Sequence, residues 1–287
     1  MHQELITISS IDEIHSLTNK IRKEGKSIGF VPTMGFLHDG HISLIKEAKK
    51  NNDVTIVSIF VNPTQFSPTE DLASYPRDLE KDKSLLINAE VDYLFFPNTE
   101  DFYPNDFQTF VEVNKISKIL EGEFRPTHFK GVTTVVAMLF NCINPDNAYF
   151  GQKDAQQAAV INQMVKDLKY DIKINVSPIV RENDGLAMSS RNVYLNEKER
   201  KDALVLSRSL SIADELIKNG EKNTTNILNE MKKKINSVES SDLNYVSIVE
   251  ADSFTIIDTI EKGRSYYILV ACKIGKTRLI DNKFVSI

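Results

Sequence analysis

The chain has 287 residues, of which 41% are hydrophobic and 26% are charged, a balance that is typical of a folded protein with room for two domains. Its formal net charge of -5 argues against a large nucleic-acid-binding surface, which needs a basic footprint. No apolar stretch reaches the roughly 18 residues of a membrane span, and residues 1–4 lack the basic start of a signal peptide. Cys142 and Cys272 lie in separate apolar runs, so we predict buried, reduced thiols and a cytoplasmic protein.

The first half of the chain alternates segments with strand-like and helix-like patterns. Residues 53–61 are almost continuously β-branched or apolar, as expected of a strand that is buried on both faces. This alternation predicts a parallel sheet with right-handed crossovers. The predicted strands are 27–31, 53–61, 91–96, 147–150 and 172–180, and the predicted helices are 11–24, 41–51, 77–89, 131–143 and 154–168.

The pattern changes after residue 180. Two helices are predicted at 197–218 and 224–238, and antiparallel strands at 243–250, 266–274 and 277–287. Helices and strands that are segregated rather than alternating indicate an α+β domain. We therefore predict an α/β protein with one domain over residues 1–180 and a smaller α+β domain over residues 181–287, with a hinge at the polar segment 181–185.

The most informative motif lies directly after the first predicted strand, where residues 31–41 lead into a helix. Ligands bind at the carboxyl ends of parallel strands, and Gly35 and Gly40 let the backbone approach a ligand closely. His38 and His41 are three residues apart, so both can face one side of the first helical turn and donate hydrogen bonds to phosphate oxygens. Two histidines that merely cap the helix or face solvent are the alternative, but the place of the motif favours a nucleotide site.

Two further motifs have phosphate-binding chemistry. Residues 150–157 again join a short strand to a helix, where Lys153 is suited to bind a phosphate and Gln157 a polar substrate. Residues 187–191 combine two serine hydroxyls with Arg191, a set that is suited to clamp a triphosphate. Taken alone, each pattern is also common at helix starts and in loops. Phosphate binding is favoured because the first motif lies at the edge of the predicted sheet and the second lies just past the predicted domain junction.

Two other segments carry polar side chains with less specific patterns. At residues 60–66, Asn62 and Gln65 lie beside apolar groups and are suited to hold a small hydroxylated substrate, although Asn-Pro is also typical of a turn. Residues 125–131 supply one histidine and two cations before a helix. This last stretch either binds phosphate or is merely a basic loop.

With these residues assembled, the sequence resembles the pantothenate synthetase (pantoate–β-alanine ligase) family over nearly its full length. The HxGH pattern at residues 38–41 indicates only the wider nucleotidyltransferase superfamily, whereas the ordered set of motifs is much more specific. Thr127 and Lys130 depart from the family pattern, in which glycine and arginine are common at these positions, and lysine lacks bidentate geometry. The matching segments are 32–35, 38–41, 60–63 with Gln65, 75–77, 151–154, 156–157, 189–191 and 279–282.

The resemblance implies a Rossmann-like N-terminal domain, a C-terminal lid domain, a homodimer and dependence on Mg²⁺, without identifying the metal ligands. It implies that (R)-pantoate and ATP give pantoyl adenylate and pyrophosphate, after which β-alanine displaces AMP to give pantothenate. The resemblance implies catalytic roles for His38, His41, Lys153 and Arg191, with His41 as the proton donor. The expected substrate-binding residues are Asn62, Gln65 and Gln157, and the expected ATP-binding residues are Met34, Gly35, His38, Gly40, His41, Gly151, Lys153, Asp154, Val180, Met188, Ser189, Ser190 and Arg191.

The implied chemistry suits these residue types. A carboxylic acid with a pKa of about 4 is ionised at pH 7, so the first step needs alignment and charge compensation but no general base. The amine of the second step, with a pKa of about 10, must lose a proton, and water is one acceptor. Three rival interpretations are another HxGH nucleotidyltransferase, whose product keeps the nucleotidyl group, a relative of class I aminoacyl-tRNA synthetases, and a nucleotide-binding regulator without catalysis.

Overall fold

The computed structural model describes residues 5–68 and 70–287, so the signal-peptide prediction, which concerns residues 1–4, lies outside the described residues. The chain divides into two compact units. The first contains the described residues up to Gly151 together with Val160–Pro178, and the second contains Gln152–Ala159 and Ile179–Ile287. Residues 152–159 thus group with the second unit, although they precede the predicted domain boundary at residue 180.

A parallel sheet forms the centre of the first unit. Its strands are β1 (Ile6–Ile8), β2 (Ile28–Thr33), β3 (Val54–Ile59), β4 (Tyr93–Phe95), β5 (Asn147–Gly151) and β6 (Lys173–Ser177). They pair in the order β1-β4-β3-β2-β5-β6, which confirms the predicted α/β fold. The sequence pattern missed β1, because three residues are too few to show a strand period. The helices are α1 (Ile11–Lys23), α2 (Asp39–Asn51), α3 (Leu79–Asn88), α4 (Thr99–Phe102), α5 (Glu121–Phe124), α6 (His128–Ile143) and α7 (Ala155–Leu168), of which α7 belongs to this unit from Val160 onward.

Successive residues of the central strands pack on opposite faces of this sheet. Phe30 and Ile56 belong to an apolar cluster that includes residues of α1 and α6. Val31 and Val57 belong to a second cluster that includes residues of α2 and α3. Because both faces are covered, the strands are continuous apolar runs, and each buried side chain of this size stabilises the fold by about 1.5–3 kcal/mol. This packing fixes the strand ends from which the site loops emerge.

The second unit has the segregated α+β arrangement that the sequence predicts. Its three described strands, β7 (Ser241–Glu250), β8 (Ser265–Ile274) and β9 (Thr277–Ser286), form an antiparallel sheet in chain order. Its helices are α8 (Glu197–Asp202), α9 (Leu204–Lys218) and α10 (Thr224–Asn236). Leu210 of α9, Ile227 of α10 and Ile268 of β8 belong to one buried apolar cluster, which is the core of this unit.

The predicted single helix over residues 197–218 is wrong, because two helices meet at Ala203. The backbone of Ala203 has φ -59° and ψ -22°, values that are closer to a 3-10 turn than to an α-helix. Ala203 is fully buried, so the core holds this break in place. Among the helices of residues 5–68 and 70–287, none combines the length and the apolar character needed to cross a membrane.

The two cysteines have the environment that the sequence predicts. Cys142 and Cys272 are both free and buried. Burial raises the pKa of each thiol to about 11. Their thiolates are therefore scarce at neutral pH, and the thiols act as small apolar core groups.

Candidate active site

The loop that follows β2 lies at the carboxyl edge of the parallel sheet and leads into α2. β2 pairs with β3 on one side and with β5 on the other, so the strand order reverses here. Open parallel sheets bind ligands in the crevice outside such a reversal. The first unit therefore brings Met34, Gly35, His38, Gly40 and His41 together at a position that suits a nucleotide.

His38 and His41 close the first turn of α2 with a reciprocal pair of hydrogen bonds. Gly40 N donates to His38 Nδ1 at 3.1 Å, and His38 N donates to His41 Nδ1 at 3.3 Å. The two ring centroids are 4.1 Å apart. Because each Nδ1 accepts a backbone N–H, the proton of each neutral imidazole is on Nε2. Helix capping and phosphate binding are thus compatible roles, since capping fixes both rings in the tautomer that donates from Nε2.

A buried carboxylate holds the loop between β2 and α2. Gly35 and Phe36 have left-handed φ values of 81° and 52°, a conformation that is unfavourable for a residue with a side chain. Asp82 of α3 accepts hydrogen bonds from Phe36 N at 2.8 Å and from Leu37 N at 2.7 Å. Burial raises the pKa of the Asp82 carboxyl above 3.8, and these two hydrogen bonds oppose that shift. Asp82 thus fixes the direction in which the chain enters α2.

Asn62 is the centre of a buried hydrogen-bond network at the end of β3. Its Nδ2 donates to Gln65 Oε1 at 3.1 Å and to Gly131 O at 3.0 Å. Its Oδ1 accepts from the hydroxyl of Tyr103 at 2.8 Å. Burial raises the pKa of Tyr103 to about 12, so this phenol keeps its proton and donates it. Both N–H groups of Asn62 are committed to protein acceptors, which indicates that Asn62 orients Gln65.

Gln65 is held on several sides. Its Nε2 lies 2.8 Å from Met34 Sδ, and its carbonyl oxygen lies 3.0 Å from His128 Nδ1. At Gly131 an added Cβ would come within 2.6 Å of Gln65 Cα, so the start of α6 touches the backbone of this turn. The structure therefore joins two predicted site residues, Met34 and Gln65, and shows why glycine occupies position 131.

The basic stretch at residues 125–131 is occupied by structural contacts. Arg125 forms a two-pronged ion pair with Glu70, with Nε–Oε1 and Nη2–Oε2 distances of 2.9 and 2.8 Å. The ammonium of Lys130 lies 4.4 Å from the ring centroid of Phe110. His128 is buried against the carbonyl of Gln65. These contacts favour a structural role for this stretch over phosphate binding, and its residues from His128 onward belong to α6 rather than to a loop.

A cavity of about 290 Å³ lies beside the loop after β2. Met34, Phe60 and Phe96 supply apolar walls, and Arg77 supplies a cation. Arg77 Nη2 also donates to Leu72 O at 3.2 Å. This volume is at the small end of the range for ligand pockets, so the cavity suits a small molecule rather than a nucleotide.

The second predicted phosphate motif is divided between the two units. Gly151 ends β5 in the first unit, whereas Gln152–Asp154 form a 3-10 helix in the second. Lys153 Nζ lies 3.6 Å from Asp154 Oδ1, and 21% of the Lys153 side chain is exposed. Gln157 follows in the first turn of α7 and is partly buried. The second unit thus places Lys153, Asp154 and Gln157 on consecutive turns.

Val180 and Met188 are brought together by a tight hairpin. Met188 N donates to Val180 O at 3.0 Å, and the turn is closed by Gly185 N donating to Glu182 O at 2.8 Å. Gly185 has a φ of 97°, which a residue with a side chain rarely adopts. Residues 181–185 therefore form a hydrogen-bonded turn, and their role as a hinge stays a prediction.

Ser189 begins a short 3-10 helix that contains the remaining motif residues. Its Oγ accepts from Arg191 N at 3.2 Å, so Ser189 is the N-cap of the helix Ser190–Tyr194. The capping hydrogen bond fixes the backbone beneath the guanidinium of Arg191. Ser189, Ser190 and Arg191 therefore share one ordered turn of the second unit.

Similarity to known proteins shows the family. A family model described as pantoate-beta-alanine ligase matches residues 6–284. The chain belongs to the pantoate–β-alanine ligase family. It is 54% identical over 282 residues to a pantothenate synthetase of Caldicellulosiruptor bescii, a match that covers 98% of this chain and 99% of that protein. The family predicted from the order of the motifs is thus confirmed.

Solved structures of ligases in this family have the same fold. A pantothenate synthetase of Thermus thermophilus is 41% identical with a TM-score of 0.91, over 97% of this chain and 99% of that one. A pantoate-beta-alanine ligase of Francisella tularensis, complexed with beta-gamma ATP and beta-alanine, is 40% identical with a TM-score of 0.81, over 98% and 97% of the two chains. These matches confirm the fold of both units.

Some residues of this ligase that the structure brings to the predicted site have no local signal in the sequence. Asp82 is flanked by Lys81 and Lys83 and looks like part of a solvated helix surface, yet it is 2% exposed. Tyr103 follows a short acidic helix with no motif around it. Only the packing of α3 and α4 against the strand ends brings these two side chains to the loops.

Proposed function

We propose that this ligase works in two steps, adenylation of (R)-pantoate by ATP and then transfer of the pantoyl group to β-alanine. The chain catalyses the ATP-dependent condensation of pantoate with β-alanine, as its family does. The observation that carries this conclusion is the family match over residues 6–284, which spans both histidines and all the phosphate-directed motifs.

In the first step, a carboxylate oxygen of pantoate attacks the α-phosphorus of ATP while the bond to pyrophosphate breaks. The carboxylate is already ionised at pH 7, so no base is required. His38 and His41 carry donors on Nε2 that suit phosphate oxygens, because their Nδ1 atoms are engaged by the backbone. Lys153 and Arg191 supply positive charge for the leaving pyrophosphate. These four residues are the proposed catalytic set.

Substrate binding is assigned to three amides. Gln65 and Gln157 would hold the hydroxyl and carboxylate oxygens of pantoate. Asn62 was predicted to bind substrate, and its hydrogen bonds to Gln65 and Gly131 support the more limited role of orienting Gln65. The remaining residues proposed to border ATP are Met34, Gly35, Gly40, Gly151, Asp154, Val180, Met188, Ser189 and Ser190.

In the second step, the amine nitrogen of β-alanine attacks the pantoyl carbonyl carbon, an amide bond forms, and the bond to AMP breaks. The amine loses a proton, which water can accept. The family resemblance makes His41 the proposed proton donor. The capping hydrogen bond supports hydrogen-bond donation from Nε2 to the departing AMP phosphate, because a neutral imidazole whose Nδ1 accepts a backbone N–H can share the Nε2 hydrogen without releasing it as a proton.

Mg²⁺ is proposed to enter with ATP rather than to occupy a protein cage. Within residues 5–68 and 70–287, no group of three or more His, Cys, Asp or Glu side chains is arranged to hold a metal. A metal bound to ATP phosphates needs only one or two protein carboxylates, and Asp154, next to Lys153, would be a candidate. When bound, Mg²⁺ would neutralise charge on the phosphates. The homodimer, the cytoplasmic location and the lid role of the second unit stay predictions.

The test is coupled detection of AMP from ATP with pantoate and β-alanine, omitting each substrate in turn. We expect AMP only when all three are present, and pantoate-dependent ATP–pyrophosphate exchange without β-alanine. Transfer of the nucleotidyl group into a stable product would instead support another HxGH nucleotidyltransferase. ATP binding without pyrophosphate release would support a regulator.

His41→Ala and Lys153→Ala test the catalytic set. Loss of a donor to developing charge lowers turnover by roughly 100- to 1,000-fold. His15→Ala is the matched control, because His15 is an exposed histidine on α1. Near-normal adenylate formation in either site variant, with the control unchanged, would contradict the assignment.

A further inference from the structure

Asn282 is buried on a strand face whose other residues are partly buried or exposed. On β9, Leu279 and Val285 belong to the apolar core of the second unit. Even-numbered side chains project from the opposite face of the strand, where Phe284 is 44% exposed. Asn282 is on that opposite face, yet it is only 2% exposed. A polar side chain is therefore covered by something other than the core.

Asn282 is covered by the 3-10 turn Gln152–Asp154, which carries Lys153 and is called the lysine turn below. Asn282 Nδ2 donates to Gln152 O at 2.9 Å and to Lys153 O at 3.0 Å, and Asn282 Oδ1 accepts from Gln152 Nε2 at 3.1 Å. The two carbonyls belong to the peptide groups on either side of Lys153. Because peptide groups are planar, fixing both of them constrains φ and ψ of Lys153. One side-chain amide thus sets the direction in which Lys153 leaves the backbone.

Asp281 anchors Asn282 from the other face of the strand. Its carboxylate accepts from Arg181 Nη1 at 2.7 Å and Nη2 at 2.9 Å, and Oδ1 also accepts from Asn282 N at 2.7 Å. Asp281 is 3% exposed, and Lys153 lies close enough to interact with it electrostatically. The buried Asp281 carboxylate, which is bound to Arg181, therefore holds this part of β9 next to the lysine turn.

We propose that Asn282, anchored by Asp281, is a positioning residue for Lys153 in adenylate formation. The proposal rests on the proposed function, in which Lys153 binds the phosphates of ATP. Without the amide, the peptide groups around Lys153 lose their partners, and the ammonium is no longer held in one direction. The effect should fall on ATP and spare pantoate, because the side-chain amide of Asn282 is hydrogen-bonded to Gln152 and Lys153, whereas Gln157 belongs to the following helix α7.

Asn282→Ala in the full chain tests this positioning role by pantoate-dependent ATP–pyrophosphate exchange. We expect the KM for ATP to rise roughly 10- to 100-fold, the scale expected for a misplaced binding group, with the KM for pantoate unchanged. ATP binding measured by calorimetry should weaken in parallel. Val285→Ala is the matched control, since it lies on the same strand but faces the core. It should lower the unfolding temperature and leave both KM values unchanged.

Equal KM values for ATP in folded Asn282→Ala and Val285→Ala would overturn the proposal. If the wild type itself shows no pantoate-dependent exchange, the proposed function fails instead, and calorimetry still decides whether Asn282 supports ATP binding. Should Asn282→Ala not fold, Asn282→Ser keeps one hydroxyl donor, and its KM for ATP must rise above the wild-type value. A wild-type KM in that folded variant would also overturn the proposal.

Discussion

Asp82→Asn tests how far one buried carboxylate determines the loop that carries the histidines. Asp82 accepts from Phe36 N at 2.8 Å and from Leu37 N at 2.7 Å. Asparagine keeps one oxygen but turns an NH2 group toward the other backbone N–H, so one hydrogen bond is replaced by two facing donors. A hydrogen bond to a charged acceptor contributes roughly 1.5–3 kcal/mol. We expect the free energy that favours the anchored loop conformation to fall by about 2–3 kcal/mol. This loss lowers the equilibrium constant for that conformation roughly 30- to 150-fold.

The weaker anchoring of this loop should lower the kcat/KM for ATP. Phe36 has a φ of 52°, and a left-handed residue with a side chain is unfavourable by roughly 1–2 kcal/mol, so the loop relaxes when its anchor weakens. The Nε2 donors of His38 and His41 then leave their positions. We expect kcat/KM for ATP in pantoate-dependent exchange to fall by up to the same factor, and thermal unfolding to show a folded variant.

Asp78→Asn is the matched control for this substitution. Asp78 is the exposed N-cap of the same helix, and its Oδ1 accepts from Lys81 N at 3.1 Å. Asparagine caps a helix as well as aspartate, so this variant removes the same charge and keeps both hydrogen bonds between Asp82 and the loop. If the kcat/KM for ATP is the same in Asp82→Asn as in Asp78→Asn, the anchoring role of Asp82 is refuted.

Two further predictions concern packing and pH. Gly131→Ala places a Cβ 2.6 Å from Gln65 Cα, so we expect the free energy of unfolding by denaturant to fall by roughly 1–3 kcal/mol. The KM for pantoate should rise as well, and an unchanged KM would contradict the contact with Gln65. Burial opposes ionisation of Asp214, but hydrogen bonds from Lys283 and Lys218 outweigh it and lower the Asp214 pKa below 3.8. The resulting stability is present above pH 4 and is lost as pH falls through the lowered pKa, so Asp214→Asn should cost about 1 kcal/mol at pH 7 and progressively less as pH falls below 4. A cost that is constant across this pH range would refute that linkage.

Much of the fold could be predicted because its signals are local. The continuous apolar run at residues 53–61 predicted a strand buried on both faces, and β3 is one, at Val54–Ile59. The spacing of Leu44, Ile45 and Ala48 predicted α2. The break at Ala203 could not be predicted, since alanine favours helix and only packing in the second unit's core holds its 3-10-like turn.

The loops that carry the candidate site residues could be located for the same reason. The motifs predicted where His38, His41 and Lys153 lie along the chain, because each is in a strand-to-helix turn with a recognisable pattern. Substrate binding by Asn62 stays a prediction, and the sequence could not show that its side-chain N–H groups are taken by Gln65 and Gly131. That depends on α6 reaching the turn after β3.

By itself, the sequence determined most of the longer helices and strands, the loops that contain the motifs and, through the order of those motifs, the family. These properties follow from periodicity and residue type over short stretches. Only the tertiary structure decided what supports those loops. Asp82 meets the loop before α2 from 46 residues away, and Asn282 meets the lysine turn from 129 residues away. Such partners are set by how strands and helices pack, and a single buried Asp or Asn carries no local pattern that would reveal them.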